Sequence, residues 1–167
     1  DGGQTFTQVL PNVGAGPYAP ADIEIAANNS IWDGTTNSFR SVIPQGGGKV
    51  FYSNNGTSWA VSYSQSGGER VELACAPSDS NYVYALIESS NQVEAIVKTT
   101  DYGTNWTNVS EPDDADRGID SDDFSRGQAW YDLTLAVDPN DPDVVFTGAI
   151  DLFKTTNGGN NWDQISH

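Results

Sequence analysis

An eight-residue pattern, hydroxyl–x–Asp/Asn–x–Gly–x–x–aromatic, returns along this chain and constrains its fold more than any other feature. It reads Tyr52-Ser-Asn-Asn-Gly-Thr-Ser-Trp59, then Thr99-Thr-Asp-Tyr-Gly-Thr-Asn-Trp106, then Thr155-Thr-Asn-Gly-Gly-Asn-Asn-Trp162. A shorter version, Asp1-Gly-Gly-Gln-Thr-Phe6, opens the chain. The aromatic falls at 6, 59, 106 and 162, so the intervals are 53, 47 and 56 residues. More than this box repeats. A short β-forming segment precedes each complete copy: Val50-Phe51, Ala95-Ile-Val-Lys98 and Leu152-Phe-Lys154. Upstream, Cys75-Ala-Pro-Ser-Asp-Ser-Asn-Tyr-Val-Tyr84 matches Val137-Asp-Pro-Asn-Asp-Pro-Asp-Val-Val-Phe146, turn chemistry flanked by β formers. Earlier still stand three comparable strands, Asp22–Ala26, Arg70–Ala74 and Asp132–Ala136. Each unit therefore reads strand A, turn, strand B, strand C, box, strand D, and no ten-residue window carries helical periodicity.

These segments resemble the Asp-box (BNR) repeats of β-propellers. The paired signature, Asp138–Phe146 followed by Leu152–Trp162, is most similar to the xyloglucanase and sortilin-type group. It also resembles large propeller proteins that bacteria export to the cell surface, many by type IX secretion. The resemblance implies an all-β fold, with the box in the hairpin between the third and fourth strands of each blade. The expected architecture is an arc of about three four-stranded antiparallel blades, part of a larger propeller. Residues 1–11 would end a preceding blade, and blades would span 12–59, 60–106 and 107–167, the last with an acidic insertion at 110–127. Fold alone does not imply activity.

The physical role expected of the box is structural. An Asp or Asn oxygen at Asp1, Asn54, Asp101 and Asn157 can accept N–H bonds within its own turn. Gly56, Gly103 and Gly159 supply a backbone conformation that a Cβ would strain. Phe6, Trp59, Trp106 and Trp162 would fold inward as apolar anchors. Asn in place of Asp at two copies suits a turn-former and does not suit a catalytic acid.

Charge narrows the partners. Seven Lys and Arg against 23 Asp and Glu give a net charge of −16, which disfavours nucleic acid and acidic lipid. The apolar runs are too short for membrane insertion. Cys75 is the single cysteine, so no internal disulfide forms, and the lack of Met suggests a processed or excised piece. Acidity with abundant Asn and Gly points to an extracellular or cell-surface address.

Chemistry could sit on the inner strands. Asp22, Arg70 and Asp132 fall at one level, with Glu24, Glu72 and Thr134 two residues on, opposite in parity to Ile23, Val71 and Leu133. They could form a polar rim for a ligand, or hydrogen-bond between neighbouring blades. Trp130 could stack on a sugar ring or belong to the core. In the insertion, Asp114, Asp116, Asp120 and Asp122 offer hard oxygen ligands for Ca²⁺, although no Glu closes an EF-hand loop; a solvated acidic loop is the alternative.

No catalytic residue is assigned. Sialidase chemistry needs three clustered arginines, and the chain holds four in all, Arg40, Arg70, Arg117 and Arg126, without that family's Arg-Ile-Pro motif. Cys75 lacks the basic neighbours that activate a thiolate. The expected function is a non-catalytic secreted or cell-surface module that binds protein or polysaccharide or acts as a scaffold. Its partners would be the rest of the propeller, such a ligand, or secretion machinery. The alternative is part of an inverting, xyloglucanase-like glycoside hydrolase whose remaining active site lies outside this chain.

Overall fold

Alternating and continuous β-forming runs become strands throughout the computed structural model, which describes residues 2–14, 16–37 and 46–167. Asp1 and Arg40 lie outside the described residues. A small hairpin of β1 (Asn12–Val13) and β2 (Gly16–Pro17) precedes three four-stranded antiparallel sheets. The first blade contains β3 (Ala19–Ile25), β4 (Ile31–Thr36), β5 (Lys49–Ser53) and β6 (Ala60–Ser64). The second contains β7 (Val71–Cys75), β8 (Val83–Ser89), β9 (Gln92–Thr99) and β10 (Thr107–Asn108). The third contains β11 (Thr134–Val137), β12 (Val145–Gly148), β13 (Leu152–Thr155) and β14 (Asp163–Gln164). In each sheet the strands lie side by side in chain order.

The turns follow from local chemistry. Ala76 N–H donates to Tyr82 O at 3.0 Å, and Asp138 N–H donates to Val144 O at 2.9 Å, so the two Pro/Asp segments close the same loop. Asp79 and Asp138 each accept the N–H two residues on, at 3.0 and 2.8 Å. Ser90 and Asn91, with φ of 55° and 72°, form the two-residue hairpin between β8 and β9.

Blades pack face to face, and side-chain alternation divides the core in two. Val71, Leu73, Cys75, Ala85, Ile87 and Val97 of the second blade meet Trp32 and Val50 of the first. From its other face, Leu86 and Ile96 meet Phe124, Leu133 and Phe153 of the third. The inner strands β3, β7 and β11 lie next to one another. Val71 and Leu133 are thus buried against the preceding blade. Ile23, at the corresponding position of the first blade, is exposed, because no blade precedes it among the described residues. Ile25 and Val61 share that open face, while Tyr18 covers part of it by packing edge-on against Phe51 with ring centroids 4.9 Å apart.

Two sequence expectations need correction. Boundaries at 59/60 and 106/107 cut β6 and β10 away from β5 and β9, to which they are hydrogen-bonded; the sheets instead span 19–64, 71–108 and 134–164. Phe6 is no inward anchor. It is 90% exposed, because residues 2–9 form no strand and place no sheet beneath the ring.

Candidate functional site

The boxes lie at the hairpins between third and fourth strands. Thr99 Oγ1 accepts from Gly103 N–H at 2.8 Å, and Asp101 Oδ1 accepts from Asn105 N–H at 2.8 Å. Hydrogen bonds from Asn105, chiefly, hold the Asp101 carboxyl below its usual range. Thr155 and Asn157 repeat the arrangement toward Gly159 and Asn161, at 3.1 and 3.0 Å. In the first copy the acceptor is Asn55 and not Asn54. Ser53 Oγ accepts from Gly56 N–H at 2.9 Å and Asn55 Oδ1 from Ser58 N–H at 2.8 Å. This loop has one residue fewer between acceptor and glycine, so alignment on the glycine shifts the acceptor by one position.

The box tryptophans are half-buried, and two of them reach across to the blade before them. Trp106 Nε1 donates to Ser62 Oγ at 3.0 Å, and Trp162 Nε1 donates to Ser110 O at 2.7 Å. Gly103 and Gly159, at φ of 74° and 87°, allow this approach: a Cβ would meet Ser62 Oγ at 2.2 Å or Val109 Cβ at 2.7 Å. Trp59 turns back to its own hairpin, donating to Gly56 O at 3.3 Å.

The opposite end of the blades, where the inner strands begin, carries a groove of about 700 Å³ lined by Thr36, Asn37, Glu69, Arg70, Glu88, Asn91 and Trp130. Arg70 and Trp130 were visible as candidates in the sequence. Glu69, Glu88 and Asn91 were not. Glu88 ends the apolar run Val83–Ile87 and is 2% exposed, so a lone acid in a buried strand was the available signal. Its carboxylate accepts from Asn91 N–H at 2.7 Å and Arg70 N–H at 3.2 Å. Burial first, then the charge of Glu88 beside it, raise the pKa of Glu69. Arg70 Nη1 donates to Tyr131 O at 2.7 Å and Nη2 to Glu72 at 2.7 Å. Those bonds hold the Trp130–Tyr131 pair at the rim, 56% and 69% exposed.

The other inner-strand acids sit between blades. Asp22 Oδ2 accepts from Leu73 N–H at 2.8 Å, linking β3 to β7. Glu24 and Glu72 are raised in pKa chiefly by burial. Burial likewise raises Asp132, whose Oδ1 is buried without a partner among the described residues. Cys75 is buried, and its thiol is pushed up to about 12 by desolvation first and then by Glu24 and Asp22.

The acidic insertion folds around Arg126. Its guanidinium contacts Asp114 at 2.9 Å, Asp116 at 3.0 Å and Asp151, while His167 meets Asp116 at 2.9 Å. Oxygens of Asp114, Asp116 and Asp151 lie within 4.8 Å of one another, a spacing that could hold a cation where the guanidinium now sits. Asp151 was not among the candidates from sequence, whereas Asp120 and Asp122 lie exposed outside the cluster.

No protein-family model and no curated protein matches the chain. Solved structures do. A GH74 enzyme from Niastella koreensis superposes with a TM-score of 0.59 at 24% identity, over 93% of this chain and 23% of that one. YCF48 from Cyanidioschyzon merolae gives 0.57 at 14% identity, over 87% and 36%. YCF48 bound to D1 peptide gives 0.51 at 12%, over 87% and 41%. The chain therefore spans about a quarter to two fifths of these structures. Its fold is an arc of β-propeller blades.

Proposed function

We propose that this arc is a non-catalytic binding module of the Asp-box propeller type, exported to the cell surface or beyond, which presents its groove to a protein or polysaccharide. One observation carries the reading. Glu88, one of the groove's two carboxyls, is 2% exposed, and both of its oxygens accept backbone amides, from Asn91 at 2.7 Å and Arg70 at 3.2 Å. A glycosidase needs two carboxyls roughly 5–9.5 Å apart that are both free to reach the sugar, and a carboxylate buried and held in this way leaves the groove only Glu69. The rim aromatics, by contrast, are open. Binding without turnover fits that combination. A peptide-bound YCF48 among the similar structures supports a protein ligand for this one.

The runner-up is a piece of a glycoside hydrolase, favoured by the GH74 enzyme with which the chain superposes. It would need a facing carboxyl from beyond these three blades. Electrophoresis through gels containing xyloglucan, with reducing ends assayed in parallel, separates the two. Retardation lost in Trp130→Ala, without new reducing ends, is expected for a polysaccharide-binding module. Release of reducing ends would overturn the non-catalytic reading.

A further inference from the structure

The groove has a chemistry more particular than binding in general. One wall carries Glu69 and the nearly fully buried Glu88, and the rim carries the open indole of Trp130. Among the described residues the positive group at the groove, Arg70, is already engaged: Nη1 holds Tyr131 O and Nη2 holds Glu72. Its charge is therefore balanced by Glu72 and does not neutralise the Glu69–Glu88 pair. Asn37, Asn91 and Thr36 complete the lining with uncharged polar groups.

We infer that the groove is a docking site for a basic side chain, a lysine ammonium or arginine guanidinium presented by a protein partner, seated on Trp130 with Glu69 and Glu88 as counter-charges. This rests on the binding-module reading above. Cations are attracted to the face of an indole and form strong charge-assisted hydrogen bonds with carboxylates. A neutral sugar could stack on the same ring, but it would close over two acids without neutralising either, which is costly in a desolvated site. The net charge of −16 also steers basic partners toward the molecule. The pKa of Glu69 is raised by burial and by Glu88, as befits two acids with no intervening cation among the described residues.

The test uses fluorescein-labelled hexalysine and its fully Nε-acetylated form, with fluorescence anisotropy of the full chain at 0.15 M salt. Hexalysine should bind, and acetylation should weaken it by about tenfold or more. Glu69→Gln and Trp130→Ala should each weaken binding by about five- to tenfold, a typical loss for one cation–π or charge-assisted contact. The double variant Asp120→Asn/Asp122→Asn, on the exposed insertion, should change it less than about twofold, since screened surface charges contribute little. Equal losses in that double variant and in Glu69→Gln would show attraction to bulk charge and overturn the inference. Failure of hexalysine to bind, alongside xyloglucan retardation that Trp130→Ala abolishes, would overturn the basic ligand and leave the binding module standing. Failure of both probes would overturn both.

Discussion

Replacing Asp33 by asparagine isolates the cost of a carboxyl that β4 carries into an apolar layer. Cross-strand neighbours of Asp33 are Ile23 and Phe51, the residue is 1% exposed, and its Oδ2 has no hydrogen-bond partner among the described residues. Desolvation, reinforced by the charge of Asp22, raises its pKa from 3.8 to about 7. A group with a raised folded pKa binds more protons in the native state than in the unfolded one, so stability falls as pH rises between those two values. It is fully retained below about pH 4 and lost through about pH 7. At ~1.4 kcal/mol per pH unit the full effect is about 4 kcal/mol, and partial hydration of the charged form reduces it to about 2–4 kcal/mol. Asparagine keeps the shape and cannot ionise. Urea unfolding followed by tryptophan fluorescence should find wild type and Asp33→Asn near equal at pH 4. At pH 8 the variant should be more stable by about 2–4 kcal/mol, which corresponds to a Tm higher by roughly 5–15 °C in a domain of this size. Measuring the difference between the two proteins cancels the general self-repulsion of a chain this acidic. Parallel pH profiles would refute the reasoning.

Other perturbations test the remaining contacts. Trp106→Ala should cost about 2–3 kcal/mol, less than a fully buried aromatic because the ring is half-exposed; Phe6→Ala should change stability by less than about 0.5 kcal/mol in the same denaturant titration. Thr99→Val removes the oxygen that accepts from Gly103 N–H and should lower stability by about 1–3 kcal/mol. Arg126→Ala leaves Asp114, Asp116 and Asp151 facing one another without a cation, so its melting temperature should fall and then recover with millimolar Ca²⁺. A melting temperature unmoved by Ca²⁺ in that variant would show that the three carboxylates do not form a cation site. Cys75, buried and with its thiol pushed up to about 12, should not react with Ellman's reagent at pH 8 until the chain is unfolded.

Much of the fold was legible because each blade restates it. The Pro/Asp loops, inner strands and box hairpins recur at positions where turn chemistry and alternation agree, so local preference and tertiary arrangement coincide. Asn54 was misplaced because pattern alignment keyed on glycine hides a one-residue deletion, whereas the hydrogen bonds count from Ser53. The parity of Asp22 and Glu24 was legible, but their position between adjacent inner strands depends on how blades pack. Trp130 and Arg70 could be picked out by type. Glu69 and Glu88 could not, since they meet only when the start of β7 pairs with the end of β8. Asp151 joins Arg126 across 25 residues, a distance that no local pattern encodes.

The tryptophan clasps also bear on how force and heat travel through the arc. Trp106 grips β6 through Ser62, and Trp162 grips the end of the second blade through Ser110. Losing any blade would strip the next one of the surface that its indole needs. The three sheets should consequently melt in a single calorimetric step, and tension applied along the chain should be shared by successive blades until all give way together.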